Sequence, residues 1–283
     1  MEQGDKMNDT ENSSCSPESS GNIVVYATDG NPADIENLRM SAFSMRKAMG
    51  GDVDMYLVTE SGINPGIEGM CVVNPKEALD SVGFFPDKWN RPWPYAVLYR
   101  LAIPLMPEFS EFDRVLYIDT DTLVFNDDIK SMFSIDDEGF EIAGVKDING
   151  KWGRIARMLD TEIDRKTRND VMGRVWAGRS VRNATYVNGG VLMMFLDNIR
   201  DNGLDWYRRR LESFWEAEKK GMVKYLDQDF VNSMMKTGCP FDQKFNSFAI
   251  FRGKSHNGDC IAHFIKGSKS QMPDLARGLG YVK

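Results

Sequence analysis

The hydrophobic positions fall into short runs separated by polar, Gly- and Pro-bearing stretches, and their spacing changes type along the chain. Residues 1–21 are rich in Ser, Asn, Asp and Glu and carry almost no large apolar side chains. So little apolar surface cannot repay the entropy of ordering, and a disordered polar tail is expected there. The β-branched run Ile23-Val24-Val25-Tyr26-Ala27 predicts a strand, and Thr28-Asp29-Gly30-Asn31-Pro32 a turn that feeds a helix. From Ala33 to Met49 apolar residues recur at helical intervals until Gly50-Gly51 ends them. Val53 to Val58 reads as a second strand, Val115 to Ile118 as a buried third, Gly189 to Phe195 as a fourth, and Cys260 to Ile265 as a short last one. Strand, helix and strand in alternation is the pattern of a parallel sheet covered by helices.

The length of 283 residues suits one α/β domain, spanning 22–283, rather than two. Hydrophobic residues at 42% and charged residues at 27% match an ordinary globular chain and exclude a fibrous one. A net charge of −7 argues against nucleic acid as a partner, because phosphate binders carry a surplus of Lys and Arg. Cys15, Cys71, Cys239 and Cys260 show no CxxC spacing, so neither a zinc cluster nor a dense disulfide framework is expected, and a reducing compartment is the simplest reading. No apolar stretch approaches the roughly 20 residues of a membrane span, and no signal peptide is recognisable. A cytoplasmic protein is the expectation, and the Asn-x-Ser/Thr sequons at Asn8, Asn12 and Asn183 then read as chance matches.

The chemistry is concentrated after the third strand, where Val115-Leu116-Tyr117-Ile118 runs into Asp119-Thr120-Asp121. In extended backbone that spacing puts both carboxylates on one face. Two carboxylates at the C-terminal edge of a strand repel and lose hydration unless a cation joins them, which points to a divalent metal. Open α/β sheets bind their ligands at that edge. The bland alternative is that both Asp residues simply start a loop. A sharper rival is a haloacid-dehalogenase-type phosphatase, whose opening motif Asp119-Thr120-Asp121-Thr122 resembles, although Leu123 departs from it.

Four blocks in order settle the comparison. Tyr99-Arg100-Leu101 followed by Arg114 to Val124 resembles the central block of glycosyltransferase family 8. Tyr186-Val187-Asn188-Gly189-Gly190-Val191 is similar to its Asn-x-Gly-Val segment, Leu226-Asp227-Gln228-Asp229 to its Asp-Gln-Asp segment, and His263 to Lys269 to its closing metal and phosphate motif. The resemblance runs from about Ile23 to Lys269. It implies a GT-A fold, a single Rossmann-like nucleotide-sugar-binding domain with a mixed central sheet.

It also implies roles. Asp119, Asp121 and His263 would bind Mn²⁺, with Mg²⁺ as a substitute, since an oxygen-rich site with one imidazole suits Mn²⁺ better. A UDP-sugar donor would meet Ala27, Thr28, Asp29, Asn31, Arg100, Thr120, Gly267 and Lys269. Asp147, Asn188, Asp227 and Gln228 would line the reactive face of the donor sugar, with Lys269 steadying the departing diphosphate. The family usually has Gly three positions after the metal His, where this chain has Lys266. Known members retain anomeric configuration, which implies a same-face transfer of a hexose or pentose to a sugar, glycan or glycoprotein acceptor. A sugar-nucleotide-binding protein without turnover is the remaining class, and a homo-oligomer is one arrangement open to it. Asp227 doubles as a candidate helix N-cap, His256 is expected in an exposed loop, and Trp89, Arg91 and Trp93 are candidate acceptor contacts. The Arg- and Lys-dense stretch 150–182 reads as a solvated helical face, or as an acceptor or lid insertion.

Overall fold

The continuous apolar runs of the sequence are strands covered on both faces. In strand β1 (Ile23–Ala27), Ile23 and Val25 pack into one apolar layer, and Val24 and Tyr26 into another. Strand β4 (Arg114–Ile118) divides Val115 and Tyr117 from Leu116 and Ile118 in the same way. A strand buried on both sides has no polar face, so its sequence does not alternate. The computed structural model describes residues 21–83, 91, 93–147, 186–220, 223, 225–252 and 256–281. Residues 1–20 of the expected tail, the 150–182 insertion and Trp89 lie outside the described residues.

Eight further strands complete two sheets: β2 (Asp54–Val58), β3 (Met70–Val73), β5 (Thr122–Val124), β6 (Ile142–Lys146), β7 (Val187–Phe195), β8 (Thr237–Phe241), β9 (Ser247–Phe248) and β10 (Ile261–His263). The larger sheet has the order β3-β2-β1-β4-β7-β6-β8, and the smaller β5-β10-β9. Strands β1 to β4 run parallel, but β7 is antiparallel to both β4 and β6. The sheet is therefore mixed, as the family resemblance implies, and not the wholly parallel one that strand and helix alternation alone suggests. One consequence matters for function. The first residues of β7 lie beside the last residues of its neighbours, with Val191 opposite Ile118 and Val187 opposite Lys146.

Helix α1 (Pro32–Met49) begins where the side chain of Asn31 accepts from the Ala33 N–H, and ends at Gly50 in the left-handed conformation, φ 71°. It buries Leu38 and Met45 against one sheet face. Short helices α2 (Lys76–Asp80), α3 (Lys130–Phe133) and α4 (Leu196–Asp201) precede α5 (Leu204–Lys219) and α6 (Leu226–Met234). These last two cover the opposite face through Tyr207, Phe214 and Phe230. Helices α7 (Ala249–Arg252) and α8 (Met272–Gly278) follow, and α8 closes the small sheet with Met272 and Ala276. No helix among the described residues is long and apolar enough to cross a membrane. Cys239 and Cys260 are free thiols, whereas Cys71 is disulfide-bonded, which corrects the reading of reduced cysteines throughout.

The start of β6 is pinned by Glu141, which is 2% exposed. It accepts from Asn202 Nδ2 at 3.0 Å, Arg210 Nη1 at 3.2 Å and the Lys236 N–H at 2.6 Å. Glu141→Ala would strand a half-buried guanidinium and a backbone donor, and should cost about 3 kcal/mol. Asp205→Ala, which breaks the exposed Arg208 pair, should cost less than about 0.5 kcal/mol. Urea unfolding of the two variants checks the contrast; equal losses would show that Glu141 does not pin the strand.

Candidate active site

The ends of β1, β4 and β6 and the start of β7 share one sheet edge, which opens into a cavity of about 570 Å³. Strand β4 makes its last ladder bond when the Asp119 N–H donates to Gly190 O at 2.8 Å. Thr122 already belongs to the other sheet, so Asp119 to Asp121 form a turn, tied by Thr122 Oγ1 donating to Asp119 O at 2.9 Å. The two carboxylates converge through this turn and not through the extended strand that the alternation rule supposes.

Each carboxylate is divided between two duties. Asp119 Oδ1 accepts from Tyr117 Oη at 2.7 Å and Arg100 Nη2 at 2.9 Å, while its Oδ2 lies 3.5 Å from His263 Nε2. Asp121 Oδ2 meets Lys269 Nζ at 2.8 Å, and its Oδ1 lies 3.2 Å from the same Nε2. His263 reaches this point because β10 pairs antiparallel with β5, placing it opposite Thr122. One ligand atom from each of Asp119, Asp121 and His263 lies within 4.8 Å of the others, a mixed carboxylate and imidazole set that could hold a divalent cation.

Gly190 is the floor of this cluster. A Cβ there would stand 2.2 Å from His263 Cε1 and 2.9 Å from Asp119 Oδ2. Gly189 is nearly as tight, with Asp227 Oδ2 at 3.2 Å and Arg100 Nη1 at 3.3 Å from its notional Cβ. The paired glycines let two ionic groups close over the strand.

Burial works against the charge on Asp121, but His263 and Lys269 outweigh it and bring its carboxyl down to about 2. Burial would likewise lower the His263 imidazole, yet Asp121 and Asp119 hold it above its ordinary value. Arg100, on the 3₁₀ turn Tyr95–Leu101, is buried and stays charged because Asp119 and Asp227 flank it and the Tyr117 ring lies 4.2 Å beneath. It pairs with Asp227 at 3.2 Å and also donates to Gly189 O. Asp227 itself is pushed up to about 7 by burial, against the pull of Arg100. It is not the N-cap of α6, whose cap is Tyr225; its side chain faces Arg100.

The neighbouring residues have equally distinct partners. Gln228 Oε1 accepts from the Gly189 N–H at 2.9 Å, and Gln228 Nε2 donates to Asp147 Oδ2 at 3.0 Å. Asp229 accepts from Tyr186 Oη and the Tyr225 N–H, both at 2.7 Å. Leu226 sits at φ 43°, a left-handed conformation costly for a branched residue, so the turn into α6 is strained where it meets the cavity.

The cavity is lined by Ala27, Thr28, Asp29, Arg100 and Thr120, by the three metal-type ligands, and by Asp147, Asn188, Asp227, Gln228 and Lys269. Asn31 and Gly267 are not among its lining residues; Asn31 is spent on the helix cap. Lys266 does line it, at φ 53°. Trp93 stands at the cavity with its ring 6.1 Å from Tyr225, whereas Arg91 pairs with Glu218 on α5. The expectation for His256 is corrected: its side chain is only 7% exposed, bonded to Asp259 at 3.0 Å and packed beside Phe125 and Phe264. Sequence reasoning passed over Tyr117, Gly190, Asp34 and Asn246. Tyr117 alone left a signal, two residues before Asp119 and so on the same strand face.

The glycosyl transferase family 8 model matches residues 74–270, and the chain belongs to that family. It is a glycosyltransferase of GT-A fold. A galactosyltransferase, LgtC, crystallised with donor and acceptor sugar analogues is similar at 18% identity and TM-score 0.60, over 92% of this chain and 97% of that one. Mouse xyloside xylosyltransferase 1 matches at 15% identity and TM-score 0.55, over 87% of this chain and 98% of that one. The glycosyltransferase GlyE of Streptococcus pneumoniae matches at 17% identity and TM-score 0.55, over 90% and 60%. No curated protein sequence matches significantly. The phosphatase alternative finds no support in these comparisons.

Two outcomes follow from the cluster. Gly190→Ala should weaken any affinity of the cluster for a divalent cation, probed with Mn²⁺, at least about tenfold, because the added methyl displaces His263; an unchanged dissociation constant by titration calorimetry would disprove the close fit. A cation taken up by this set would compete with the proton of His263, so affinity for a divalent probe such as Mn²⁺ should climb with pH through and beyond the ordinary imidazole value of about 6.5. The metal-free fold should move the other way. Its share of stability from charged His263 is fully present below the unfolded value and is lost as pH rises through the raised folded one. Melting curves at several pH values, with and without Mn²⁺, read both.

Proposed function

We propose that this enzyme transfers a hexose or pentose from a UDP-sugar to a sugar, glycan or glycoprotein acceptor, with retention of anomeric configuration and dependence on Mn²⁺. The observation that carries the reading is the convergence of Asp119 Oδ2, Asp121 Oδ1 and His263 Nε2 at one wall of the cavity, with Lys269 beside them. Mn²⁺ held by these three groups would supply positive charge to the diphosphate as it leaves. Lys269 adds an ammonium on the same side, and Lys266 a second.

Retention by a same-face route fits the residues beneath the sugar. A double displacement needs a free carboxylate to attack the anomeric carbon. Gln228 is an amide engaged at both its oxygen and its nitrogen. Asp227 is tied to Arg100, and Asp147 accepts from Gln228. In the route favoured, the bond from the anomeric carbon to the phosphate oxygen breaks while the acceptor oxygen bonds on the same face. The acceptor's proton passes to that leaving oxygen. Asp147 and Asn188 would hold sugar hydroxyls, a role supported by their place in the cavity lining, and the exposed Trp93 and Tyr225 would offer aromatic faces to an acceptor.

A panel of UDP-sugars with Mn²⁺, scored by UDP release, tests the proposal. One donor should turn over, and EDTA should abolish it. His263→Ala should cut the rate roughly a hundredfold to a thousandfold. UDP at a hundredfold excess over Kd should stabilise the fold by about 2.7 kcal/mol with Mn²⁺ and far less without it. Full turnover by His263→Ala, or equal stabilisation in EDTA, would sink the metal assignment.

A further inference from the structure

His263 can ligate a cation through Nε2 only if its other nitrogen carries the proton. Three side-chain amides decide that. His263 Nδ1 lies 3.0 Å from Asn246 Oδ1, and Asn246 is 1% exposed. Asn246 Nδ2 donates to Asn188 Oδ1 at 2.8 Å, and Asn188 Nδ2 donates to Gln228 Oε1 at 3.3 Å. Gln228 Nε2 then donates to Asp147 Oδ2.

An amide can be turned end for end, so the direction of such a chain has to be fixed from outside. Two backbone donors fix it here. The Gly189 N–H points at Gln228 Oε1 and the Gly190 N–H at Asn188 Oδ1, each at 2.9 Å. A backbone N–H cannot face an NH₂ group, so both contacted atoms are oxygens and both far ends are nitrogens. With Asn188 presenting oxygen, Asn246 must present its NH₂ to it, and therefore its oxygen to His263. The imidazole nitrogen that meets this oxygen is a donor.

We propose that Asn246 is a positioning residue that locks His263 in the Nδ1-protonated tautomer, its own amide oriented through Asn188 and Gln228 by the backbone N–H groups of Gly189 and Gly190. This leaves the Nε2 lone pair facing Asp119 and Asp121. Without Asn246 the other tautomer is favoured, because an Nε2–H could donate to Asp121 Oδ1 at 3.2 Å, and that tautomer cannot ligate. The chain also ends on Asp147, so the group that orients the metal-side imidazole and the one that lines the sugar side are held by a single run of hydrogen bonds. The ligand role of His263 rests on the function proposed above; the tautomer does not.

The test uses the full chain with ¹⁵N-labelled histidine. There are two histidines, His256 and His263, and His256→Asn assigns the signals. Long-range ¹H–¹⁵N spectra of metal-free protein, at a pH where His263 is neutral, should show the proton on Nδ1. In Asn246→Leu, or Asn246→Ala should that variant fold better, the proton should move to Nε2. The Mn²⁺ dissociation constant should rise roughly tenfold to a hundredfold, while the melting point without metal shifts little. Asn246→Asp still accepts from Nδ1–H but sets an oxygen against Asn188 Oδ1, so it should keep the proton on Nδ1 without restoring the order of the amide run. An Nε2–H signal in the unaltered protein, or an unchanged tautomer and affinity in Asn246→Leu, would overturn the proposal. If the unaltered protein binds no Mn²⁺, the metal assignment fails and the tautomer spectra still decide the role of Asn246.

Discussion

Two carboxylates and an imidazole packed against one glycine set the terms for the rest of the site. Like charges about 4 Å apart repel by about 4 kcal/mol where the effective dielectric is near 20, so the surroundings must answer that charge or the turn would open. They do so with one cationic partner per carboxylate. Arg100 and the Tyr117 hydroxyl hold one oxygen of Asp119, and Lys269 holds one oxygen of Asp121. The oxygens left over face the imidazole. Charge compensation and ligand presentation are thus the same arrangement, seen from the two sides of each carboxylate.

The arrangement depends on one strand running against its neighbours. Because β7 is antiparallel to β4, its opening residues, rather than its closing ones, reach the ligand-binding edge, and these are Asn188, Gly189 and Gly190. Their place is fixed from α6: Asn232 accepts from the Val187 N–H at 2.7 Å and donates to Val187 O at 2.9 Å, closing both backbone groups of the first residue of β7. The same helix carries Asp227 to Arg100 and Gln228 to Gly189. The first turns of one helix therefore clamp the strand, pair with the guanidinium and orient the amides, directly after the left-handed Leu226.

The strands most visible in the sequence were those buried on both faces, since β1, β2 after Asp54 and β4 after Arg114 are apolar runs. Short strands such as β5, β8 and β9 gave no such signal; β9 has only Ser247 and Phe248 and exists through its pairing with β10. The reversal of β7 was not legible either, because direction is set by tertiary pairing and leaves no local pattern. The site divides in the same way. Asp119, Asp121 and His263 stand out because acids and imidazole have few bland uses at the end of apolar strands. Asn246, one amide after a 3₁₀ turn, looks like any loop residue until its neighbours are known. Asp227 was read as a site residue that could double as a cap because Asp often begins a helix, but here the helix starts without that cap and the carboxylate is paired with Arg100. His256 was read as exposed from its Ser, Asn and Gly neighbours, while Phe125 and Phe264, distant in sequence, cover it.

The departure at Lys266 is intelligible on the same electrostatic grounds. A lysine in the left-handed region is disfavoured relative to glycine by about 1 kcal/mol or more, so the residue must return something for its backbone strain. The cavity lining contains seven aspartates, Asp29, Asp34, Asp119, Asp121, Asp147, Asp227 and Asp229, against Arg100, Lys266 and Lys269. Arg100 is paired with two of those acids through its two terminal nitrogens, and Lys269 with a third. If Lys266 were glycine, as it usually is in the family, the described residues of the cavity lining would keep only Arg100 and Lys269 as permanent cations, each already paired with its acids. Lys266 is exposed and lines the cavity, and among the ion pairs of the described residues no acid has claimed its ammonium. The strain at φ 53° and the acid surplus are then two parts of one balance.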